Sequence, residues 1–345
     1  MRKLVFSLVA IFFSFHSNAQ TTTFATETTD SLINVIAYFC KNDSLEYVMN
    51  EGEVNIEAGD TTISDRTEQR FRIVVLDSTS NGYKMELIPL SYEYEESGDK
   101  TEVAINKIAA ATYKDFHTIF TTDEYGIIQH IENWKEIRDI SNSATKSVCD
   151  SLYAMEPDME TYLPRKRFES LMKSMLSTED KILNSYSELT MLFSCHGKAF
   201  PIGKKVADGT SESGYPQHTE VVASYGSYEE EYGFEDDFYV SFAAEESIPA
   251  KDAVDIVSNF VGIITDKDLD TEAKDKLVDE AKSDMKRISV EDNYFFFNGW
   301  PCKVLKNDIT EWEGVKKIKY STIQWAKRSW GNFEQPLNTS PSKEL

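Results

Sequence analysis

Tight turns between strand-like segments are the feature of this sequence that most restricts its fold. Two Asn-Gly pairs interrupt segments rich in β-branched and aromatic residues, a pattern typical of two-residue hairpin turns. The first pair joins Phe71–Leu76 to Tyr83–Ile88, and the second joins Ile288–Phe297 to Trp300–Leu305. Connections this short allow only antiparallel pairing, because parallel neighbours need a long crossover. Antiparallel sheet is therefore expected early and late in the chain.

Segments with helical spacing separate the two groups of strands. A further hairpin, Phe116–Phe120 with Ile127–Ile131, ends the early group. Apolar residues then recur every three or four positions over residues 134–152 and again over residues 165–193. The polar sequence that begins at Ser177 could cap a new helix. Residues 165–193 are therefore expected to form either one long helix or two shorter ones.

The order of these elements predicts an α+β fold. After weak strand signals, helices are indicated over residues 249–264 and 273–285, and Ile318–Trp325 can add a late strand. The 17 Tyr and 20 Phe residues also favour sheet. We expect an antiparallel sheet built from the early and late strand groups, with the helices packed on one face.

The beginning of the chain has the three parts of a bacterial secretory signal peptide. Arg2 and Lys3 are positively charged, Leu4–Phe15 is apolar, and Ala19 precedes the expected cleavage before Gln20. The apolar run is shorter than the roughly 20 residues that a membrane-spanning helix needs. We therefore expect residues 1–19 to be removed. The mature protein would then be periplasmic or extracellular, with no transmembrane anchor after cleavage.

Composition divides the remaining chain. Residues 20–30 are Thr-rich and are interpreted as a flexible leader. Residues 31–199 form a strand-rich region followed by helices, and residues 200–330 hold an acidic loop, two helices and a C-terminal antiparallel hairpin. Residues 331–345 are interpreted as a tail. The sequence leaves open whether these regions form one domain or two.

A formal net charge of −23 restricts the partners. A chain this acidic repels phosphate backbones, so nucleic-acid binding is not expected. Anionic membrane surfaces are disfavoured for the same reason. The expected partner is an unidentified ligand of the cell envelope or the extracellular space.

The cysteines allow two interpretations. The four are Cys40, Cys149, Cys195 and Cys302. An even number in an exported protein permits two disulfides, and Cys149 could reach Cys195 if the helix over residues 165–193 breaks. Free buried thiols are the competing interpretation. No cysteine lies at the expected cleavage site, so no lipid attachment is expected.

An acidic and aromatic loop is the candidate recognition element. Its residues are Tyr228, Glu229, Glu230, Glu231, Tyr232, Asp236 and Asp237. Carboxylates interleaved with aromatic rings suit contact with a partner, or with calcium if the loop curls. The alternative is a solvated loop without a binding role.

No catalytic residue, cofactor site or metal site is predicted. Ser-x-x-Lys occurs repeatedly but without the Lys-Thr-Gly motif that accompanies it in penicillin-interacting enzymes. Asp266, Asp268 and Asp270 are spaced like the start of a calcium loop, but Thr271 stands where that loop needs Gly. These aspartates are better explained as caps of a helix.

One late turn carries a resemblance to known proteins. The segment Phe297-Asn298-Gly299-Trp300-Pro301, with the signal peptide and the early strands, is similar to a group of uncharacterised exported bacterial proteins. The order of elements also resembles the lipoprotein-carrier half-barrel, a curved antiparallel sheet with helices in its mouth. The first resemblance implies no particular activity. The second implies carriage of a lipid or an apolar peptide, and neither implies catalytic residues.

Three functions follow from these observations. The leading hypothesis is an exported, non-enzymatic envelope or secreted protein that binds a ligand on its sheet or serves as a scaffold. One alternative is a carboxylate-dependent hydrolase of envelope or dietary polymers, which two buried carboxylates across a pocket would favour. The other alternative is a carrier of lipid or apolar peptide, which an apolar concavity lined by Phe and Tyr would favour.

Overall fold

The computed structural model describes residues 31–95, 100–226, 238–265, 281 and 283–331. Thirteen strands lie in this part of the chain. They are β1 (Leu32–Asn34), β2 (Ser44–Glu57), β3 (Asp60–Thr79), β4 (Gly82–Tyr94), β5 (Thr118–Thr122), β6 (Ile128–Ile131), β7 (Ala199–Pro201), β8 (Gly203–Thr210), β9 (Pro216–Tyr225), β10 (Phe238–Ile248), β11 (Met285–Phe295), β12 (Pro301–Trp312) and β13 (Val315–Ser329).

Eleven of these strands form one antiparallel sheet with the order β6-β5-β4-β3-β2-β13-β12-β11-β10-β9-β8. The early meander, β2 to β6, and the late meander, β8 to β13, are joined by the pairing of β2 with β13. Strands β1 and β7 form a separate antiparallel pair. The turns at Asn81-Gly82 and Asn298-Gly299 connect adjacent strands, as their sequences predicted.

The helices of the described residues interrupt the early meander, follow it, or interrupt the late one. They are α1 (Lys100–Thr112), α2 (Trp134–Met155), α3 (Met159–Tyr162), α4 (Arg165–Met175), α5 (Glu179–Ser185), α6 (Ser187–Leu192) and α7 (Ala250–Thr265). Residues 165–193 adopt the broken alternative. Helix α4 ends at Met175, and the Thr178 hydroxyl accepts a hydrogen bond from the Lys181 amide at 3.4 Å to begin α5.

Helices α5 and α6 cover part of one face of the sheet. Alternate residues of a strand point to the same face, and Leu45, Tyr47 and Met49 of β2 are all buried. They share a hydrophobic core with Ile182 of α5 and Leu189 of α6. Each fully buried aliphatic side chain contributes about 1.5–3 kcal/mol to folding. We call this side of the sheet the helix-covered face. The expected α+β class is confirmed.

The turn before β12 is built into the core. Trp300 is fully buried and stacks on Phe39 with 3.9 Å between ring centroids. Its indole N–H donates to the Asp43 carboxylate at 3.1 Å. Asp43 is 1% exposed and also accepts hydrogen bonds from the backbone amides of Cys40 and Gly331. One buried carboxylate therefore ties the turn to the start of β2 and the end of β13.

Gly299 and His196 fix the position of the same turn. Gly299 has a φ of 84°, and a Cβ atom there would lie 2.2 Å from the carbonyl oxygen of Ile36. The His196 ring is 2% exposed, and its Nε2–H donates to the Gly299 carbonyl at 3.0 Å. Burial lowers the pKa of His196 to about 4. His196 is therefore a neutral core residue near pH 7.

Several elements differ from the expectation. The helix expected over residues 249–264 begins at Ala250 and ends at Thr265, because strand β10 continues to Ile248. Met285 begins β11 and does not end a helix, because it pairs with Ile248 inside the sheet. Helix α1 and strand β8 were not expected. Strand β8 is almost entirely polar and exposed, so its sequence has no strand signal. Residues 273–280, assigned to a second late helix, lie outside the described residues.

Candidate functional site

The helix-covered face changes from apolar to charged halfway along the central strands. Met49, Ile323 and Val304 are cross-strand neighbours on β2, β13 and β12, and all three are fully buried. The next row on the same face consists of Glu51, Ser321 and Lys306. The pairing among these three strands does not shift between the two rows, so the charged row continues the core face.

We call the charged part of this face the polar floor. It spans β2, β13, β12, β11 and β10. Its residues are Glu51, Glu53, Glu246, Arg287, Ser289, Glu291, Lys306, Asp308, Lys317, Lys319 and Ser321. Four cations face five anions in this set, so the polar floor is close to neutral within a chain of net charge −23.

Each carboxylate of the polar floor has a close donor. The contacts join Glu51 to Ser321 (3.1 Å), Glu53 to Lys317 (2.5 Å), Asp308 to Ser289 (2.7 Å), Glu291 to Ser194 (2.8 Å) and Glu246 to Arg287 (3.5 Å). The side chains of Glu53 and Lys317 are only 12% and 19% exposed. Because ion pairs this shielded lose hydration, their attraction is largely offset by the cost of desolvation.

The opposite face is aliphatic at the same level. Cross-strand partners from β3 to β11 form one row there, which consists of Ile63, Val54, Ile318, Ile309 and Ile288. These side chains are half-buried, apart from Ile63, which is exposed. A sequence pattern would place such isoleucines in the core and the charges in solvent. The strand pairing places the charges on the helix-covered face.

Lys319 lies near the centre of the polar floor. Burial and then the charge of Lys317 lower its pKa, while Glu53 and Asp308 act in the opposite direction. A charged group held partly away from water gains from polar atoms that a ligand brings. Perturbed ionisable groups of this kind are enriched at functional sites.

The carboxylate of Glu188 in α6 interacts electrostatically with that of Glu51 in the polar floor. Glu188 of α6 is 7% exposed, and burial, with a smaller contribution from Glu51, raises its pKa to about 7. Burial likewise raises the pKa of Glu51. The hydroxyl of nearby Tyr113 is buried and has no hydrogen-bond partner among the described residues. Glu188 therefore exchanges its proton near neutral pH, which a general acid requires.

All four cysteines are free thiols, which is the second of the two interpretations from the sequence. Cys149 and Cys195 are fully buried, and Cys302 is 7% exposed. Burial raises the pKa of Cys195 to about 12, and burial also raises the pKa of Cys149 and of Cys40. Thiols with raised pKa values react slowly, so the fully buried Cys149 and Cys195 serve as small core residues.

The other predicted sites lie outside the described residues. These are the candidate recognition loop within residues 228–237, the aspartates of residues 266–270, and the cleavage site at Ala19 and Gln20. They remain predictions. The sequence did not point to the polar floor, because its charges alternate with aliphatic residues as they would on a solvent-facing strand.

Comparisons with known proteins assign no family. No family model matches the chain, and no curated protein matches it. One similar solved structure is described as lipid-protein interactions in lipovitellin, with a TM-score of 0.38 and 8% identity over 85% of this chain. This chain covers 26% of that lipovitellin chain. Within the described ranges, no helix is both long enough and apolar enough to cross a bilayer.

Proposed function

We propose that this protein is an exported, non-enzymatic binding protein whose ligand contacts the polar floor. The observation that carries this proposal is the aligned change from apolar to charged residues on the helix-covered face. Met49, Ile323 and Val304 give way together to the charged row that begins with Glu51. Strands β2, β13 and β12 all change from apolar to polar residues between the same two rows. The boundary is therefore a feature of the whole face and not an irregularity of one strand.

Fold stability does not explain these charges. Replacement of a shielded ion pair by apolar residues is often neutral or stabilising. The isoleucines on the opposite face show that these strands accommodate branched aliphatic residues. A charged network in place of apolar packing is expected mainly where function requires it.

The composition of the polar floor favours a small polar ligand with both hydrogen-bond donors and acceptors and little net charge. An acyl chain on this surface would exclude water from Lys319 and Asp308 and would not replace the hydrogen bonds that water makes with them. Such a loss costs several kcal/mol for charged groups. These residues therefore argue against the carrier of lipid or apolar peptide.

Export is supported by the sequence alone, through the charged residues at Arg2 and Lys3 and the apolar run that follows. N-terminal sequencing of protein recovered from the envelope or the medium tests this part of the proposal. A mature chain that begins at Gln20 supports it. A cytoplasmic protein that still begins at Met1 would contradict it.

A hydrolase is the second candidate, and the Glu51–Glu188 pair is the observation that favours it. Glu188 could donate a proton near pH 7, because its pKa is raised to about 7. However, Glu51 already accepts hydrogen bonds from Gln69 and Ser321 at 3.1 Å. Glu188→Gln separates the two functions, since a hydrolase would lose turnover while a binding protein would keep its affinity.

Ligand-detected NMR tests the proposal with a defined panel of free amino acids, dipeptides and small neutral sugars. The wild-type protein is compared with Lys319→Met, which changes the polar floor, and with Lys316→Met. Lys316 lies on the opposite face of β13, where it pairs with Glu311 at 2.6 Å. We expect at least one compound to bind, with at least about tenfold weaker binding to Lys319→Met only. Binding by no compound, or equal loss in both variants, contradicts the proposal.

A further inference from the structure

Strand β8 forms one edge of the eleven-stranded sheet. Its residues pair with β9 from one end to the other without a shift in register. Within the described ranges, no strand pairs with the other side of β8. An edge strand presents a row of backbone N–H and C=O groups to which a further strand can bind. The opposite edge, β6, has only four residues and pairs irregularly with β5, so β8 is the longer and more regular edge.

Strand β8 lacks several features that prevent edge strands from pairing. Prolines, bulges and inward-pointing charges are common protections. This strand contains no proline, and its pairing with β9 contains no bulge. Val206, at the middle of the strand, is 50% exposed. An exposed apolar residue at the centre of a regular edge favours the addition of another strand.

Two residues of opposite charge flank Val206 at equal distances along the strand. Lys204, Val206 and Asp208 lie on one face of β8, because alternate residues of a strand point to the same side. The Lys204 ammonium group contacts Glu220 at 2.6 Å, and the Asp208 carboxylate contacts Nδ1 of His218 at 2.6 Å. Lys204 and Asp208 remain exposed in spite of these contacts, so each has room for a second partner of opposite charge.

We propose that β8 pairs antiparallel with β8 of a second copy of this chain, across a twofold axis at Val206. In this register, Lys204 of each copy lies opposite Asp208 of the other copy, and the two Val206 residues meet at the axis. Cross-strand pairs of unlike charge and of apolar residues both stabilise a sheet. The edge is therefore complementary to itself, which an interface between identical copies requires.

Charge selects this register among the possible ones. Two copies of one strand pair antiparallel only about an axis through a residue, since otherwise side chains from opposite faces would meet. An axis at Lys204, Lys205 or Asp208 would place like charges opposite each other, which is destabilising. An axis at Ala207 would place the apolar Val206 opposite Asp208. Only the axis at Val206 places Lys204 opposite Asp208.

Sedimentation velocity of the full chain, from about 10 μM to about 500 μM, tests the proposal. A single strand pair is smaller than a standard interface, so we expect a weak dimer with a dissociation constant below about 500 μM. Val206→Lys would place two lysines at the axis and should weaken the dimer at least about tenfold. The control is Ile63→Lys, because Ile63 is 51% exposed but belongs to β3, inside the sheet. A chain that stays monomeric, or equal effects of the two substitutions, overturns the proposal.

Mixing two charge variants tests the register. Lys204→Glu alone and Asp208→Lys alone should each weaken the dimer at least about tenfold, because identical copies would then place like charges opposite each other. A mixture of the two variants restores both unlike pairs and should associate about as tightly as wild type. Restored association also shows that both variants are folded. A mixture that associates no better than either variant alone overturns the proposed pairing.

Discussion

Replacement of His196 by Gln should remove part of the protein's sensitivity to acid. The ring is 2% exposed, and burial lowers its pKa from 6.5 to about 4, with Gly299 and then Asp123 acting in the opposite direction. The unfolded chain therefore takes up a proton here more readily than the folded chain. At about 1.4 kcal/mol for each unit of pKa, the effect amounts to about 3 kcal/mol. This stability is present above pH 6.5 and is lost as the pH falls towards about 4.

Urea unfolding at a series of pH values between about 4 and 7 measures this effect. Gln can still donate to the Gly299 carbonyl, so the variant should fold. The control is His130→Gln, because the side chain of His130 is 73% exposed. Between about pH 6.5 and pH 4, wild type and His130→Gln should lose about 3 kcal/mol more than His196→Gln. Parallel stability curves for wild type and His196→Gln would show that His196 does not contribute to acid sensitivity.

Three further variants test other buried contacts by chemical unfolding. The stability of Glu188→Gln relative to wild type should be about 3 kcal/mol more favourable at pH 8 than at pH 4. The reason is that the pKa of Glu188 is raised to about 7, so wild type loses stability as the pH rises through that value. An equal difference between variant and wild type at both pH values would count against this. Trp300→Phe should cost about 2–3 kcal/mol, since Asp43 loses its indole donor at 3.1 Å, and a cost below about 0.5 kcal/mol would disprove the role of that bond. Gly299→Ala should cost more than Trp300→Phe, because its Cβ would lie 2.2 Å from the Ile36 carbonyl oxygen, and near wild-type stability would show that the turn relaxes freely.

Local chemistry made the two meanders predictable. Asn81-Gly82 and Asn298-Gly299 each favour a tight hairpin, and each joins neighbouring strands. The pairing that unites the meanders has no such local signal. Glu51 and Ser321, which meet across β2 and β13, are 270 positions apart in the chain. No turn sequence specifies a contact over that distance, so only the folded sheet reveals it.

The polar floor could not be predicted from the sequence, because the apolar residues move from one face to the other within single strands. In β2, Leu45, Tyr47 and Met49 mark one face as core, whereas the apolar residues Val54 and Ile56 lie on the other face. From the sequence alone, such a change would be interpreted as a one-residue shift in strand register or as two separate strands. The pairing of β2 with β13 continues without a shift through this region. The same face of β2 therefore continues without interruption and only its residues change from apolar to charged. The spacing of apolar residues in the sequence cannot identify such a change.

The most direct test of the claim that the polar floor serves a ligand and not the fold is the free energy of unfolding of Glu53→Leu with Lys317→Leu. These partners lie 2.5 Å apart and are largely shielded. We expect the double variant to be at least as stable as wild type and no longer to bind the compound found in the NMR panel. Lys317→Leu alone should be less stable than the double variant, because Glu53 would remain charged without its partner. A double variant that loses more than about 3 kcal/mol would show that the charges hold the fold, and would contradict the claim.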